Sequence, residues 1–379
     1  MGVGILLERI WISAGEASGD LHGGLLVEAL RAAQPGIVCQ GMGGAAMRAA
    51  GLEALFRTES LSVMGFTEVL GHLPRIFCML REMERTLARL RPQAVVVIDA
   101  PSFHFPLIKA ARKLGIPVYY YISPKVWASR QNRAQFIKEN VRRVISILPF
   151  EVPFYQKFGM EVDYVGNPLV DVVDEAALAR ITPQPGLIGL LPGSRKKEVS
   201  ALLPEFGGAA RILLQRLPHL RFAITRAPGL SEEFIRSFWP ADVPMTLQEP
   251  DNRWAFMRQC QMLIVASGTV TLESALAGTP TLVTYKLSSF SYHVLKQFVR
   301  VPYISLPNLI LNRQVFPEML QAACNAGPLA EAALRWLAPA DGSNPLEDIR
   351  QTLATLRPML GEKGAPKRAA NLILGDFAE

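Results

Sequence analysis

Residues 9–20 read Arg9-Ile10-Trp11-Ile12-Ser13-Ala14-Gly15-Glu16-Ala17-Ser18-Gly19-Asp20, and the change of character along this stretch decides the fold. A short β-rich run over 9–13 gives way to small residues and glycines, and then to a helical pattern over 23–33. A strand that turns straight into a helix is the first half of a βαβ unit. The glycines are not spaced as GxGxxG, and no strand-ending acid lies about twenty residues on, so the stretch is not a dinucleotide fingerprint. Backbone N–H groups at such a helix start can meet a ligand. An ordinary tight turn capped by Ser18 or Asp20 explains the small residues equally well, but it gives Glu16 no task.

The same alternation runs outward from there. Strands are predicted over 37–41, 94–99, 118–122, 144–148 and 161–165, with helices over 74–90 and 105–114. A polar, Ala-rich piece over 171–186, ending Thr-Pro-Gln-Pro-Gly, reads as a linker. Strands then resume over 187–191, 221–225, 245–248, 262–266 and 281–285, with helices over 196–217, 253–259, 270–277 and 291–299. The expected class is α/β, with two doubly wound, Rossmann-like domains facing across a cleft. They span 1–172 and 186–345, and a C-terminal helical tail over 346–379 packs back on the first. Ligands in such sheets bind at the carboxyl ends of the strands.

The 379 residues suit two domains, and with half of them apolar and 19% charged the chain is not disordered. No uninterrupted apolar run approaches the ~18 residues of a spanning helix, and the N-terminus lacks the pattern of an export signal. Cys39, Cys78, Cys260 and Cys324 lie far apart with no CxxC pair, which argues against zinc and disulfides and for a reduced cytoplasm. The formal charge of +7 is uneven. Residues 101–150 hold nine basic side chains against Glu139 alone, a net of +8 suited to a phosphorylated substrate or an anionic lipid surface. No nucleic-acid-binding signature accompanies it. Just upstream, Met64, Phe66, Val69, Leu70, Leu73, Ile76, Phe77 and Leu80 recur at helical spacing. They read either as a buried core helix or as a helix lying on a membrane surface.

Beside the Ala14–Asp20 junction, three further strand-to-loop junctions carry chemistry. Val95-Val96-Val97-Ile98-Asp99-Ala100-Pro101 puts a carboxylate at the tip of an apolar strand, where burial raises its pKa and suits it to general base work. A cap on the following helix is the alternative use of Asp99. Leu191-Pro192-Gly193-Ser194-Arg195 offers a helix N-terminus and a guanidinium to an anion. Ala266-Ser267-Gly268-Thr269 is a second such loop, with Glu273 one turn inside its helix, placed to accept both hydroxyls of a ribose. Two such loops in one domain, with Arg195 and Glu273, suggest a nucleoside diphosphate. No DxD motif or histidine ligand spacing is apparent, so the expectation is a metal-independent site without cofactor. Arg195 and the two helix N-termini would then neutralise the diphosphate.

These blocks, taken in order, resemble the lipid-A-disaccharide synthases, glycosyltransferases of the B-type two-domain fold. The resemblance covers nearly the whole chain. It rests also on Gly41-Met42-Gly43-Gly44, on Val63-Met64-Gly65-Phe66-Thr67-Glu68-Val69-Leu70, and on Ser123-Pro124-Lys125-Val126-Trp127-Ala128. Leu148-Pro149-Phe150-Glu151, Ser305-Leu306-Pro307-Asn308 and Pro317-Glu318-Met319-Leu320-Gln321 complete it. It implies that UDP-2,3-diacylglucosamine donates its sugar to the 6-hydroxyl of 2,3-diacylglucosamine 1-phosphate, with inversion, to give a β-1,6-linked disaccharide and UDP. Asp99 is then the preferred base, and Glu16 is the alternative base or an acceptor-positioning group. Ser194, Arg195, Ser267, Gly268 and Thr269 hold the diphosphate, Glu273 the ribose, and Asn308 is a further site residue by resemblance alone. The expected partners are the two acylated sugars, the inner face of the cytoplasmic membrane as a peripheral surface, and a second copy of the chain exchanging the C-terminal segment; nucleic acid is not among them.

The chain departs from the family pattern at Gly166-Asn167-Pro168, where a Gly-His-Pro block is usual, so a catalytic imidazole there is excluded. Trp127-Ala128-Ser129 likewise replaces an expected Trp-Ala-Trp. The rival readings are a UDP-N-acetylglucosamine epimerase, the peptidoglycan lipid-intermediate glycosyltransferase, and a non-catalytic membrane-associated nucleotide-binding protein. The first two lack the Val-Met-Gly-Phe and Ser-Leu-Pro-Asn blocks, and the third has no use for Asp99 or Glu16.

Overall fold

Ala94-Val95-Val96-Val97-Ile98 is fully buried along its whole length, as a parallel strand with helices on both faces must be. Burying each such valine side chain contributes about 1.5–3 kcal/mol. A computed structural model of the protein describes residues 6–62, 69–128, 131–287 and 301–378. The chain divides into two compact units, Met1–Asp171 with Leu360–Glu379, and Val172–Met359.

The first unit holds strands β1 (Arg9–Ala14), β2 (Val38–Gly43), β3 (Glu53–Arg57), β4 (Ala94–Ile98), β5 (Val118–Tyr121), β6 (Arg143–Ser146) and β7 (Asp163–Tyr164). All are parallel, in the order β3-β2-β1-β4-β5-β6-β7. The order reverses between β1 and β4, where Ser13 pairs with Val97 and Ala14 with Ile98. Trp11, Val95, Val97 and Tyr120 pack with Leu80, Met83, Leu87 and Leu107 of the covering helices.

The second unit holds β8 (Gln184–Leu191), β9 (Arg221–Thr225), β10 (Thr246–Gln248), β11 (Cys260–Ala266), β12 (Thr281–Tyr285) and β13 (Glu318–Leu320). Their order is β10-β9-β8-β11-β12-β13, again parallel, and it reverses between β8 and β11. Leu190 pairs with Ile264 and Leu191 with Val265 there. The long helix Lys196–Arg216 buries Val199, Leu202, Leu203 and Phe206 against this sheet.

Three boundaries differ from the sequence expectation. The piece read as a linker over 171–186 contains the helix Glu175–Ala179, capped by Asp174 and burying Leu178, and the start of β8. The C-terminal segment returns to the first unit at Leu360 rather than at 346, because Pro345–Ala354 and Leu356–Met359 stay with the second. The edge strands β3 and β13 are additions to the sequence expectation, since each is short and partly exposed and has no apolar run longer than three residues.

The returning segment is held by specific bonds. Asn167 N–H donates to the Leu360 carbonyl at 2.8 Å, and the Asp171 carboxylate accepts from the N–H groups of Gly364 and Ala365. The helix Ala365–Ala378 buries Ala369, Ala370 and Ile373 and packs on the helix Ala17–Ala33. Its Asp376 accepts from Arg142, Arg143 and the Tyr119 hydroxyl, each at 2.8–2.9 Å. Two of the nine basic residues of the 101–150 window therefore serve this packing rather than an external anion.

Candidate active site

The two strand-order reversals bring together most of the predicted site residues, unit by unit. In the first, Gly15-Glu16 follows β1 and Asp99-Ala100 follows β4, on neighbouring strands in register. A Cβ built on Gly15 would lie 2.5 Å from the Ala100 Cβ, so only glycine allows the two loops to approach this closely. Glu16 occupies the N-cap position of the helix Ala17–Ala33 without a side-chain cap bond. The alternative of Asp20 as a cap on its own helix is not what forms. Its carboxylate instead accepts from the N–H groups of Gly44, Ala46 and Met47, and so caps the separate helix Ala45–Ala49.

Asp99 does not cap a helix either. The N-cap of Pro101–Lys113 is Ala100, and no side chain bonds there. Asp99 and Ala100 both adopt positive φ, +49° and +44°, a region costly for residues with a Cβ. The Asp99 carbonyl accepts from His104 Nδ1 and from the Tyr120 hydroxyl, both at 2.8 Å. Burial, and then the nearby Glu16 carboxylate, push the Asp99 carboxyl above the ordinary carboxylate range, while Lys125 pulls the other way. That is the direction a general base near neutrality requires.

Two neighbours of this site carry chemistry that the sequence reading left unassigned. Glu151, fully buried, accepts from Ser146 Oγ at 2.5 Å and Trp127 Nε1 at 3.1 Å. Burial, with the Asp99 charge adding to it, drives its pKa up to about 7 against the lowering pull of the Ser146 and Trp127 bonds. An acid just past the carboxyl end of a strand is the signal that singled out Asp99, and it was present here too. His104, by contrast, sits in an apolar helix turn and gave no such signal.

In the second unit, Gly193 takes φ +106°, which opens the turn after β8. Ser194 and Arg195 are exposed at the start of the helix Lys196–Arg216. Arg195 pairs with Glu198 at 3.1 Å, but its side chain is 68% exposed, and so open a pair is weak and readily exchanged for a phosphate. Ser267-Gly268-Thr269 follows β11, next to that loop in the sheet. Among the described residues nothing lies within 4 Å of a Cβ built on Gly268, so none of them demands a glycine there. Glu273 is buried, with one carboxylate oxygen 2.9 Å from Arg253. Burial raises its pKa and Arg253 opposes the rise.

Asn308, expected among the donor-binding residues, is placed differently. Its amide oxygen accepts from the N–H groups of Val315 and Phe316, and its NH₂ donates to the Phe316 carbonyl and to Glu318. With all four hydrogen-bonding positions used and the residue fully buried, it holds its loop rather than offering a group to a ligand. Asn167 is likewise structural, donating to the Ile147 carbonyl and accepting from Leu169 N–H.

Met64, Phe66 and Ser129 lie outside the described residues, as do the side chains of Val69, Leu70 and Leu73. The rest of the apolar stripe divides. Ile76 packs against the core with Leu80, Met83 and Leu87, whereas Phe77 is 59% exposed. No helix among the described residues is long and apolar enough to cross a membrane.

Paired loops at the strand-order reversals of two doubly wound parallel sheets define the class as a two-unit α/β protein of the glycosyltransferase B-type fold. Structures of this class align with nearly the whole chain. A UDP-N-acetylglucosamine 2-epimerase from Neisseria meningitidis, solved with UDP-GlcNAc, superposes with a TM-score of 0.68 at 12% identity, over 97% of this chain and 100% of its own. The calicheamicin glycosyltransferase CalG4 superposes with a TM-score of 0.61 at 15% identity, over 98% and 99%. The family model for lipid-A-disaccharide synthetase matches residues 10–357. The lipid-A-disaccharide synthase of Trichlorobacter lovleyi is 39% identical over 375 residues, 97% of each chain. The chain belongs to the lipid-A-disaccharide synthase family and is a glycosyltransferase.

Proposed function

We propose that the chain joins UDP-2,3-diacylglucosamine to 2,3-diacylglucosamine 1-phosphate in one inverting displacement. Asp99 takes the proton of the acceptor 6-hydroxyl as its oxygen bonds to the sugar C1. The C1–phosphate oxygen bond breaks on the opposite face, and UDP leaves with the electron pair. Arg195, with the N–H groups and hydroxyls of the Gly193-Ser194 and Ser267-Gly268-Thr269 loops, neutralises the leaving diphosphate without a metal ion. The observation that carries this reading is the partition of side chains between the two reversals, carboxylates at β1/β4 and an exposed arginine with glycine-rich turns at β8/β11. Phe77, exposed beside a basic segment, supports peripheral contact with an anionic membrane surface. A C-terminal segment that leaves one unit and packs on the other supports a homodimer exchanging it, which light scattering reads as a doubled mass.

The test is incubation with both acylated sugars, with and without EDTA, followed by mass spectrometry. The expected products are the disaccharide 1-phosphate and UDP at an unchanged rate in EDTA. Epimerised donor in place of disaccharide, or loss of rate in EDTA, contradicts the corresponding part of the proposal.

A further inference from the structure

We infer that His104 is a positioning residue for this reaction: its imidazole, itself set by Ser13, holds the Asp99 backbone in the conformation that presents the carboxylate. The inference rests on the reading of Asp99 as the base. Consecutive non-glycine residues at positive φ persist only where their surroundings over-determine them, at about 1–3 kcal/mol each. The determinants here are the His104 and Tyr120 bonds to the Asp99 carbonyl and the close seat of Ala100 over Gly15.

The chemistry of the contacts fixes the state of the ring. The Asp99 carbonyl can only accept, so Nδ1 carries the hydrogen. Burial holds the imidazole pKa down at about 4, so the ring is neutral at ordinary pH and Nε2 is an acceptor. Ser13 Oγ, 3.0 Å away, therefore donates to it. Ser13 stands on β1, and Asp99 and His104 follow β4, so the imidazole ties together the two strands of the reversal. The ring is fully buried, which suits an anchor rather than an acid–base group. Without its bond, the turn can relax toward right-handed φ and swing the Asp99 side chain, and a shift of about 1 Å is worth roughly 100-fold in rate.

Two substitutions separate the ring's two bonds. The amide of Asn ends near the position of Nδ1, and that of Gln near Nε2. His104→Gln keeps the Ser13 contact and loses the Asp99 carbonyl; His104→Asn does the reverse. His104→Gln is expected to lower kcat about 30- to 100-fold with KM and UDP affinity held within about twofold, and His104→Asn to recover most of that loss. Equal kcat in the two variants overturns the inference. So does a kcat that falls only together with melting temperature, KM and UDP affinity. If His104→Gln does not fold, Tyr120→Phe replaces it, with the same split between kcat and KM expected and an unchanged kcat counting against. Asp99→Asn in parallel keeps the two claims apart. Retained turnover there defeats the base assignment whatever His104 does, whereas an inactive Asp99→Asn beside a wild-type His104→Gln defeats only the positioning role.

Discussion

At the β1/β4 reversal of the first unit the loops carry two carboxylates, Glu16 and Asp99, on a strained backbone. At the β8/β11 reversal of the second they carry hydroxyls, glycines and an exposed arginine at the start of a 21-residue helix. The sheets share their parallel pairing and their reversal of strand order, so the architecture does not distinguish them. What differs is a handful of loop residues, and the proposed mechanism rests on these to give proton abstraction to one unit and anion stabilisation to the other. The fold supplies two equivalent platforms, and function resides in what is placed on them.

Arg195→Ala breaks the second side of this comparison most directly. Loss of a charge-assisted donor to a developing anion lowers kcat/KM by about 100- to 1000-fold and weakens UDP binding, read by steady-state kinetics and calorimetry. A loss smaller than tenfold would assign the diphosphate to other groups. Glu16→Gln sharpens the first side. Asp99 must be ionised to act, so kcat falls as pH drops through its raised pKa. Removing the Glu16 charge lowers that pKa, and the acid limb of the kcat–pH profile moves to lower pH. A limb that stays in place would show that Glu16 does not couple to the base.

Glu151 gives a smaller effect, on stability. Its pKa is about 7 in the folded protein against an ordinary 4.5, so the folded state binds the extra proton between those values. Stability from this group is full below about pH 4.5 and is lost as pH rises toward and past 7, on the order of 3 kcal/mol in all. Glu151→Gln removes that contribution to the slope, so melting temperature falls less between pH 5 and 8 than in the unsubstituted protein. An unchanged slope would mean that Glu151 is ionised throughout. The smallest effect is at Phe77, where Ser lowers co-sedimentation with anionic vesicles several-fold and leaves the melting temperature within a degree or two, because the ring is exposed. A large drop in stability would make Phe77 part of the packing.

The central strands and the four junction loops were legible because a buried parallel strand is an unbroken apolar run, and either a glycine-bearing turn or a lone acid follows it at once. β4 and the Met262–Ala266 part of β11 are such runs. β3 and β13 escaped notice because an edge strand needs only one buried face. The roles of Asp20, Asn308 and Asn167 were hidden for a different reason. Each bonds to backbone that is remote or only a few residues distant, and no local spacing records which N–H or carbonyl a polar side chain will meet in the folded chain. His104 is the extreme case, a single polar residue on an apolar helix turn whose partners come from β1 and from the loop after β4.

The division of labour between the two units is tested most directly by Asp99→Asn, with turnover and UDP affinity measured on the same preparation. Turnover is expected to fall by about 1000-fold or more, while UDP binds as tightly as to the unsubstituted protein within about twofold. Turnover that survives, or UDP affinity that falls with it, contradicts the assignment of base chemistry to the first unit and diphosphate binding to the second.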